Sequence, residues 1–243
     1  MTKMVSVDFW NTLVKAETNG DIREEARIKA IREVARRYGR EPDDDAIREA
    51  RKIVTRAFDE EWIGRQRTLT TAELVRGMLN ALAVPASAAE RDELAEVYRE
   101  SFFPGAPDLA DGVEEALESI RRYYTLTIIS DTKFSPGSVL KRYLDMKGLL
   151  RYFDAFAFSD ELEVSKPHPK AYKSVLTATK GKPEKSWHIG DMQRTDVMGA
   201  KAVGMKAILY TGVSDDDENR TTADYICNTW DAISDILVSE YHH

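Results

Sequence analysis

The chain is predicted to be an α/β protein in which a parallel sheet is covered by helices and interrupted near its start by a helical insert. Three observations predict this. Short apolar, β-prone runs recur at residues 4–8, 124–130, 155–158, 187–190 and 206–210. Helix-periodic stretches separate the later runs, as repeated strand, crossover helix and strand units require. Residues 21–103 differ from both, being charged and helix-periodic throughout.

Residues 4–8 read as a buried strand that delivers Asp8 to a loop edge. In the insert, Ile22, Ala26, Ile31, Val34, Ala35 and Tyr38 form the first apolar stripe. Pro42-Asp43-Asp44-Asp45 breaks it and supplies the acidic start of the next helix. The stripes Ile47, Ala50, Val54, Phe58, then Leu74, Met78, Leu82, then Leu94, Val97, Tyr98 bring the insert to about four helices.

From Leu109 the α/β alternation takes over. Helices are expected over 112–122, 138–146, 169–179 and 196–203, between the strand-like runs Tyr124–Ser130, Ala155–Phe158, Trp187–Gly190 and Lys206–Tyr210. The expected domains are a core of residues 1–16 and 104–243 and a helical insert of residues 17–103. Parallel sheets of this kind bind ligands at the carboxyl ends of their strands. Asp8, Ser130 and Asp191 all fall there.

Composition narrows the function classes. The formal net charge is −7, which argues against a general nucleic-acid binder. No run of about 18 apolar residues occurs, and the start lacks a signal-peptide pattern, so no membrane association and a cytoplasmic location are expected. The single cysteine, Cys227, suits a reducing compartment and reads as an inert thiol. With 32 % charged residues and glutamine only at Gln66 and Gln193, composition leans toward a heat-adapted source. Asp215-Asp216-Asp217-Glu218 lacks the ligand spacing of a calcium loop and reads as a solvated turn. His242 and His243 read as a tag remnant, and the oligomeric state stays open.

The residues that carry chemistry are spread along the chain. An early carboxylate, Asp8, a late lysine, Lys166, and a late acidic pair, Asp191 and Asp196, can converge on one phosphate and one divalent cation. An aspartate attacking phosphorus needs such positive charge to reduce the repulsion between two anions. Asp196 either binds the cation or holds its waters. Thr12 and Ser130 can donate to phosphate oxygens or cap local backbone. Arg65 and Arg67, near Trp62, read as a solvated arginine face, with anion binding as the rival reading.

These residues give the chain a resemblance to the haloacid dehalogenase superfamily over nearly its whole length. Asp8-Phe9-Trp10-Asn11-Thr12-Leu13-Val14 resembles the nucleophile loop and Ile128-Ile129-Ser130-Asp131 the phosphate-binding strand end. Lys166-Pro167-His168-Pro169 resembles the lysine motif, and His188-Ile189-Gly190-Asp191-Met192-Gln193-Arg194-Thr195-Asp196 the acidic metal motif. The resemblance implies a doubly wound, Rossmann-like core with an inserted all-helical cap. It also implies an aspartyl-phosphate on Asp8 and Mg2+ held by Asp8, Asp191 and the Trp10 backbone carbonyl.

Two positions depart from the family pattern. Trp10 stands where family phosphatases carry an acid–base aspartate, which predicts an atypical phosphoric monoester hydrolase. Its indole reads either as a wedge between core and cap or as a substrate contact. Asp131 replaces an asparagine, and its carboxylate is expected to turn away from the anion or to pair with Lys133. The favoured function is hydrolysis of a small phosphorylated metabolite. The alternatives are a metal-independent 2-haloacid dehalogenase, which an aromatic residue at Trp10 also suits, and a phosphometabolite-binding or interaction module with little turnover.

Overall fold

The computed structural model describes residues 2–214 and 221–242. The turn expected at residues 215–218 and the terminal His243 lie outside them. Among the described residues no helix is long and apolar enough to cross a membrane. The chain divides into two compact units, one of Met1–Glu17, Pro107–Asp131 and Leu144–His243, the other of Thr18–Ala106 and Thr132–Tyr143.

In chain order the elements are β1 (Thr2–Val7), β2 (Val14–Lys15), α1 (Gly20–Arg37), α2 (Asp44–Asp59), α3 (Thr71–Ala81) and α4 (Ala88–Glu100). Then come β3 (Asp108–Leu109), α5 (Val113–Ile120), β4 (Thr125–Ser130), α6 (Gly137–Met146), β5 (Phe153–Phe158), α7 (Ser159–Leu162) and α8 (Pro169–Thr179). The chain closes with β6 (Gly181–Gly190), α9 (Met198–Ala202), β7 (Lys206–Tyr210), β8 (Tyr225–Cys227) and α10 (Trp230–Tyr241).

The first unit is built on a six-stranded sheet of order β5-β4-β1-β6-β7-β8. Every paired neighbour in it is parallel. Met4, Val5 and Val7 are fully buried because a central parallel strand is covered on both faces, so β1 reads as a continuous apolar run. Met4, Ile129, Ala207 and Leu209 pack with Tyr172, Val175 and Leu176 of α8 on one face. Strand alternation sends Val5, Val7 and Ile128 to the other. The chain runs outward from β1 through β4 and β5, then returns to β6 on the far side of β1. That reversal makes the carboxyl end of β1 the switch point where such sheets place their sites.

A short antiparallel ribbon of β2 and β3 pairs Val14 with Leu109 and Lys15 with Asp108. It joins the segment that leaves β1 to the segment that returns from the insert. Behind it, the indole Nε1 of Trp230 donates to the Thr12 carbonyl at 3.1 Å, and this side chain is fully buried.

The second unit is helical. Its core comprises Ile31, Val34 and Ala35 of α1, Ile47, Ala50, Val54 and Phe58 of α2, Leu74, Val75, Met78 and Leu79 of α3, and Leu94, Ala95 and Tyr98 of α4. The acidic run starts α2 as expected, with Asp43 accepting from the Ala46 amide at 2.8 Å. Capping boxes start α3 at Thr70 and Glu73 and α4 at Ser87 and Glu90. Two stripe members differ from expectation. Ile22 and Val97 are exposed, because Arg23 takes the buried position at the start of α1 and the buried face of α4 turns through Ala95.

Trp230 supplies the prediction for the fold. Replacing it with alanine removes a fully buried indole and the donor to the Thr12 carbonyl, so Trp230→Ala is expected to lose about 3–5 kcal/mol in urea unfolding. An unchanged midpoint would show that α10 contributes little to the core.

Candidate active site

The carboxyl ends of three neighbouring strands supply the site. Asp8 follows β1 directly, Ser130 ends β4, and Asp191 follows Gly190 at the end of β6. The register pairs Val7 with both Ile128 and Ile189, which brings those ends side by side. After Asp8 the chain turns tightly, with Leu13 and Val14 amides donating to the Phe9 carbonyl at 3.0 and 3.2 Å. Asn11 takes a left-handed backbone (φ 52°) in that turn. Its Oδ1 accepts from the Ala16 amide at 3.3 Å, and its side chain hydrogen-bonds Asp191.

Lys166 enters from the loop after α7, preceding a cis bond to Pro167. Its ammonium lies 2.7 Å from Asp8 Oδ1 and 2.6 Å from Asp196 Oδ1. Its backbone amide donates to Asp131 Oδ1 at 2.9 Å, so the Asp131 carboxylate is turned toward the lysine loop. Asp196 is the most heavily engaged group. Oδ1 meets Lys166 and His188 Nε2 (2.9 Å), while Oδ2 accepts from the Met192 amide at 3.1 Å and Thr195 Oγ1 at 3.0 Å. Gly190 makes room for it, since a Cβ there would stand 2.3 Å from Asp196 Cγ.

The acidic groups form one cluster. Asp8, Asp191 and Asp196 each offer an oxygen within 4.8 Å of the others. Burial raises Asp8 to about 6; the Lys166 charge opposes the rise and Asp196 adds to it. Burial together with Asp196 and Asp8 raises Asp191 to about 8, against Lys166 and the Asn11 hydrogen bond. For Asp196 burial is outweighed by the Lys166 ammonium and the His188 hydrogen bond, which hold it well below the ordinary carboxylate range. Burial also disfavours the Lys166 charge, but Asp196, Asp8 and Asp131 prevail and raise it well above the lysine range.

This donor set fits a hard divalent cation. All three groups are carboxylates, and burial together with their mutual repulsion raises Asp8 and Asp191, which nearby positive charge would reverse. Asp196, with both oxygens already accepting, is suited to orienting bound water.

The other expected residues are placed as follows. Thr12 is fully buried, and its Oγ1 makes no hydrogen bond among the described residues. Ser130 is buried with Oγ only 3.4 Å from the Asp131 carbonyl, a weak contact. Trp10 is half-buried and edge-on to Phe9, with centroids 5.1 Å apart. Arg65 pairs with Glu61, and Arg67 with Glu61 and Glu73. Asn11, Tyr172, His188 and Trp230 received no role from the sequence. The signals were a polar residue inside an apolar strand at His188 and an asparagine in a turn at Asn11.

A family model for haloacid dehalogenase-like hydrolases matches residues 2–204. The chain belongs to that family. It is 35 % identical over 92 residues to a glyceraldehyde 3-phosphate phosphatase of Pyrococcus furiosus, covering 37 % of this chain and 38 % of that protein. It is 26 % identical over 185 residues to haloacid dehalogenase-like hydrolase domain-containing protein 3 of Bos taurus, covering 73 % and 72 %. In the first of these matches the chain therefore spans about two fifths of the relative's length. Among solved structures, a 2-haloacid dehalogenase from Pseudomonas syringae superposes with a TM-score of 0.76 at 24 % identity, covering 98 % of this chain and 99 % of that one. A phosphatase of the family from Thermococcus onnurineus superposes at 0.66 and 23 % identity, covering 97 % and 98 %. These superpositions establish the shared fold, a Rossmann-like parallel core with inserted helices.

One expectation is corrected. The sequence marked this hydrolase as atypical because Trp10 stands in place of an acid–base aspartate, but the Asp8, Asp191 and Asp196 cluster is intact. Its members come from the ends of β1 and β6 and from the turn after β6, so a residue two positions beyond Asp8 replaces none of them.

The raised carboxyls give a pH prediction. With Asp8 and Asp191 shifted from 3.8 to about 6 and about 8, the folded chain binds more protons than the unfolded chain across that window. Stability of the cation-free protein should therefore fall from about pH 5 to about pH 8. Asp196, held down, and Lys166, held up, do not titrate there. Thermal melts with chelator should show the fall, and added Mg2+ should restore more stability at pH 8 than at pH 5. Flat melting temperatures in both series would contradict this charge balance.

Proposed function

We propose that the protein is a magnesium-dependent phosphatase of a small phosphorylated metabolite, working through an aspartyl-phosphate on Asp8. The observation that carries this reading is the buried Asp8 carboxylate, 2.7 Å from the Lys166 ammonium and within one acidic cluster with Asp191 and Asp196. Relatives named as phosphatases of glyceraldehyde 3-phosphate, phosphoglycolate and phosphoserine support the substrate class.

In this reading Asp8, Asp191 and the Trp10 backbone carbonyl would hold Mg2+, with Asp196 in support behind them. When bound, the cation would supply positive charge that offsets the repulsion between an anionic carboxylate and an anionic phosphate. An Asp8 oxygen attacks phosphorus, a P–O bond forms, and the ester P–O bond breaks as the leaving oxygen departs and takes up a proton from water, which the attacking water of the second step returns to solvent. Water then attacks the same phosphorus, the bond to Asp8 breaks, and phosphate leaves. Lys166 neutralises charge on the attacking carboxylate and the phosphoryl oxygens. Thr12 Oγ1 and Ser130 Oγ donate to those oxygens, while Asp131 fixes the Lys166 backbone. Residues 1–16 and 104–243 act as the catalytic core, and the helical insert of residues 17–103 acts as the cap that governs which substrates are accepted.

The experiment is a screen of phosphate esters, acyl phosphates and 2-haloacids with and without Mg2+, followed by mass spectrometry of the trapped enzyme. Phosphate release should require Mg2+, a phosphoryl group should map to Asp8, and Asp8→Asn should lower turnover by about 10³-fold or more. Undiminished labelling of Asp8→Asn would remove Asp8 as nucleophile. Halide release without metal would overturn the substrate class.

A further inference from the structure

Beneath the acidic cluster lies a second layer of buried polar groups that the reaction steps above do not use. His188 occupies the penultimate turn of alternation in β6, flanked by the apolar Trp187 and Ile189 and aligned with Ser6 on β1. Its Nε2 is 2.9 Å from Asp196 Oδ1 and its Nδ1 is 2.8 Å from Ser6 Oγ. Ser6 Oγ also lies 3.2 Å from the Trp187 carbonyl. His188, Ser6 and Asp196 are essentially inaccessible to water. The Tyr172 ring stands edge-on to the imidazole at 5.3 Å, and its hydroxyl donates to the Thr195 carbonyl at 2.6 Å.

The contacts form a single line: Ser6, His188, Asp196, Lys166, Asp8. An ionised Asp196 only accepts, so the imidazole proton facing it sits on Nε2. The oxygen that receives this proton is the same one that receives the Lys166 ammonium. Two donors on one oxygen fix its position in a way that the backbone of Asp196 alone does not. Lys166 in turn reaches Asp8 from that oxygen.

We propose that His188 is a positioning residue: by donating Nε2–H to Asp196 Oδ1 it sets where Asp196 holds the Lys166 ammonium, and so how Lys166 meets Asp8. The consequence for turnover rests on Asp8 being the nucleophile. The consequence for the lysine does not. Small misplacements of such groups cost large factors in rate, whereas a purely structural histidine affects stability alone.

Two amide variants separate these roles. Glutamine carries its NH2 to the place of Nε2 and can still donate to Asp196. Asparagine reaches only the place of Nδ1, beside Ser6. The readouts are kcat and KM with Mg2+ saturating, and, independently, the Lys166 ammonium signal in the 1H–15N spectrum of the lysine-labelled, metal-free protein, assigned with Lys166→Arg. His188→Asn should lower kcat by about tenfold or more, the scale of a lost charge-assisted hydrogen bond, with little change in KM. It should also broaden the Lys166 signal beyond detection. His188→Gln should stay within about threefold of the native kcat and keep the signal.

Ser6→Ala spares the Nε2 contact and serves as a milder second variant if a His188 variant fails to fold. It should shift the Lys166 signal without abolishing it. Equal loss in the two folded His188 variants, retention in both, no effect of Ser6→Ala on the signal, or no Lys166 signal in the native protein would each overturn the proposal. Absence of native turnover on every phosphate ester would instead sink the phosphatase reading and leave the ammonium signal to decide the role of His188.

Discussion

Lys166 Nζ lies within 2.7 Å of Asp8 and 2.6 Å of Asp196, with all three groups withdrawn from water. Placing any one of them there alone would cost several kcal/mol of lost hydration, so each is tolerable only in the company of the others. At an effective dielectric of about 20, a unit pair at 4 Å gains about 4 kcal/mol, enough to hold the lysine charged. It is not enough for the whole cluster. One ammonium against the three carboxylates Asp8, Asp191 and Asp196 leaves an excess of negative charge that a divalent cation matches. Burial first, and the neighbouring carboxylates after it, raise Asp8 and Asp191 in that surplus.

Backbone economy makes such crowding possible. Gly190 leaves open the space that the Asp196 side chain fills, and α9 carries Gly199 where a Cβ would collide with Tyr172. Tyr172 then secures the Thr195 carbonyl next to the acidic residue. On the β1 side, the Trp230 indole and the Asn11 side chain both hold the turn after Asp8. The placement of the acidic cluster thus depends on small residues and buried donors outside it.

Much of this was legible in the sequence. Asp8, Ser130 and Asp191 could be read at strand ends because central parallel strands are continuous apolar runs that stop abruptly at polar residues. The helical insert was legible from its periodicity, though Ile22 and Val97 were misread as buried because periodicity marks a face and not where its burial begins. The weight placed on Trp10 failed for a different reason: a residue near Asp8 along the chain is not thereby part of the acidic cluster, whose other members arrive from β6 and the turn beyond it. The link from Trp230 to Thr12 spans a separation that no local pattern encodes, and the one from His188 to Asp196, though within one motif, depends on how the turn after β6 folds back.

Crystals grown with Mn2+ in place of Mg2+ would test the charge balance most directly, through anomalous scattering at the manganese edge. The expected result is one strong peak in contact with the carboxylates of both Asp8 and Asp191, absent from Asp191→Ala crystals. A fully loaded crystal with its peak elsewhere, or none at millimolar metal while Lys166 still bridges Asp8 and Asp196, would contradict the view that this acidic cluster is built around a divalent cation.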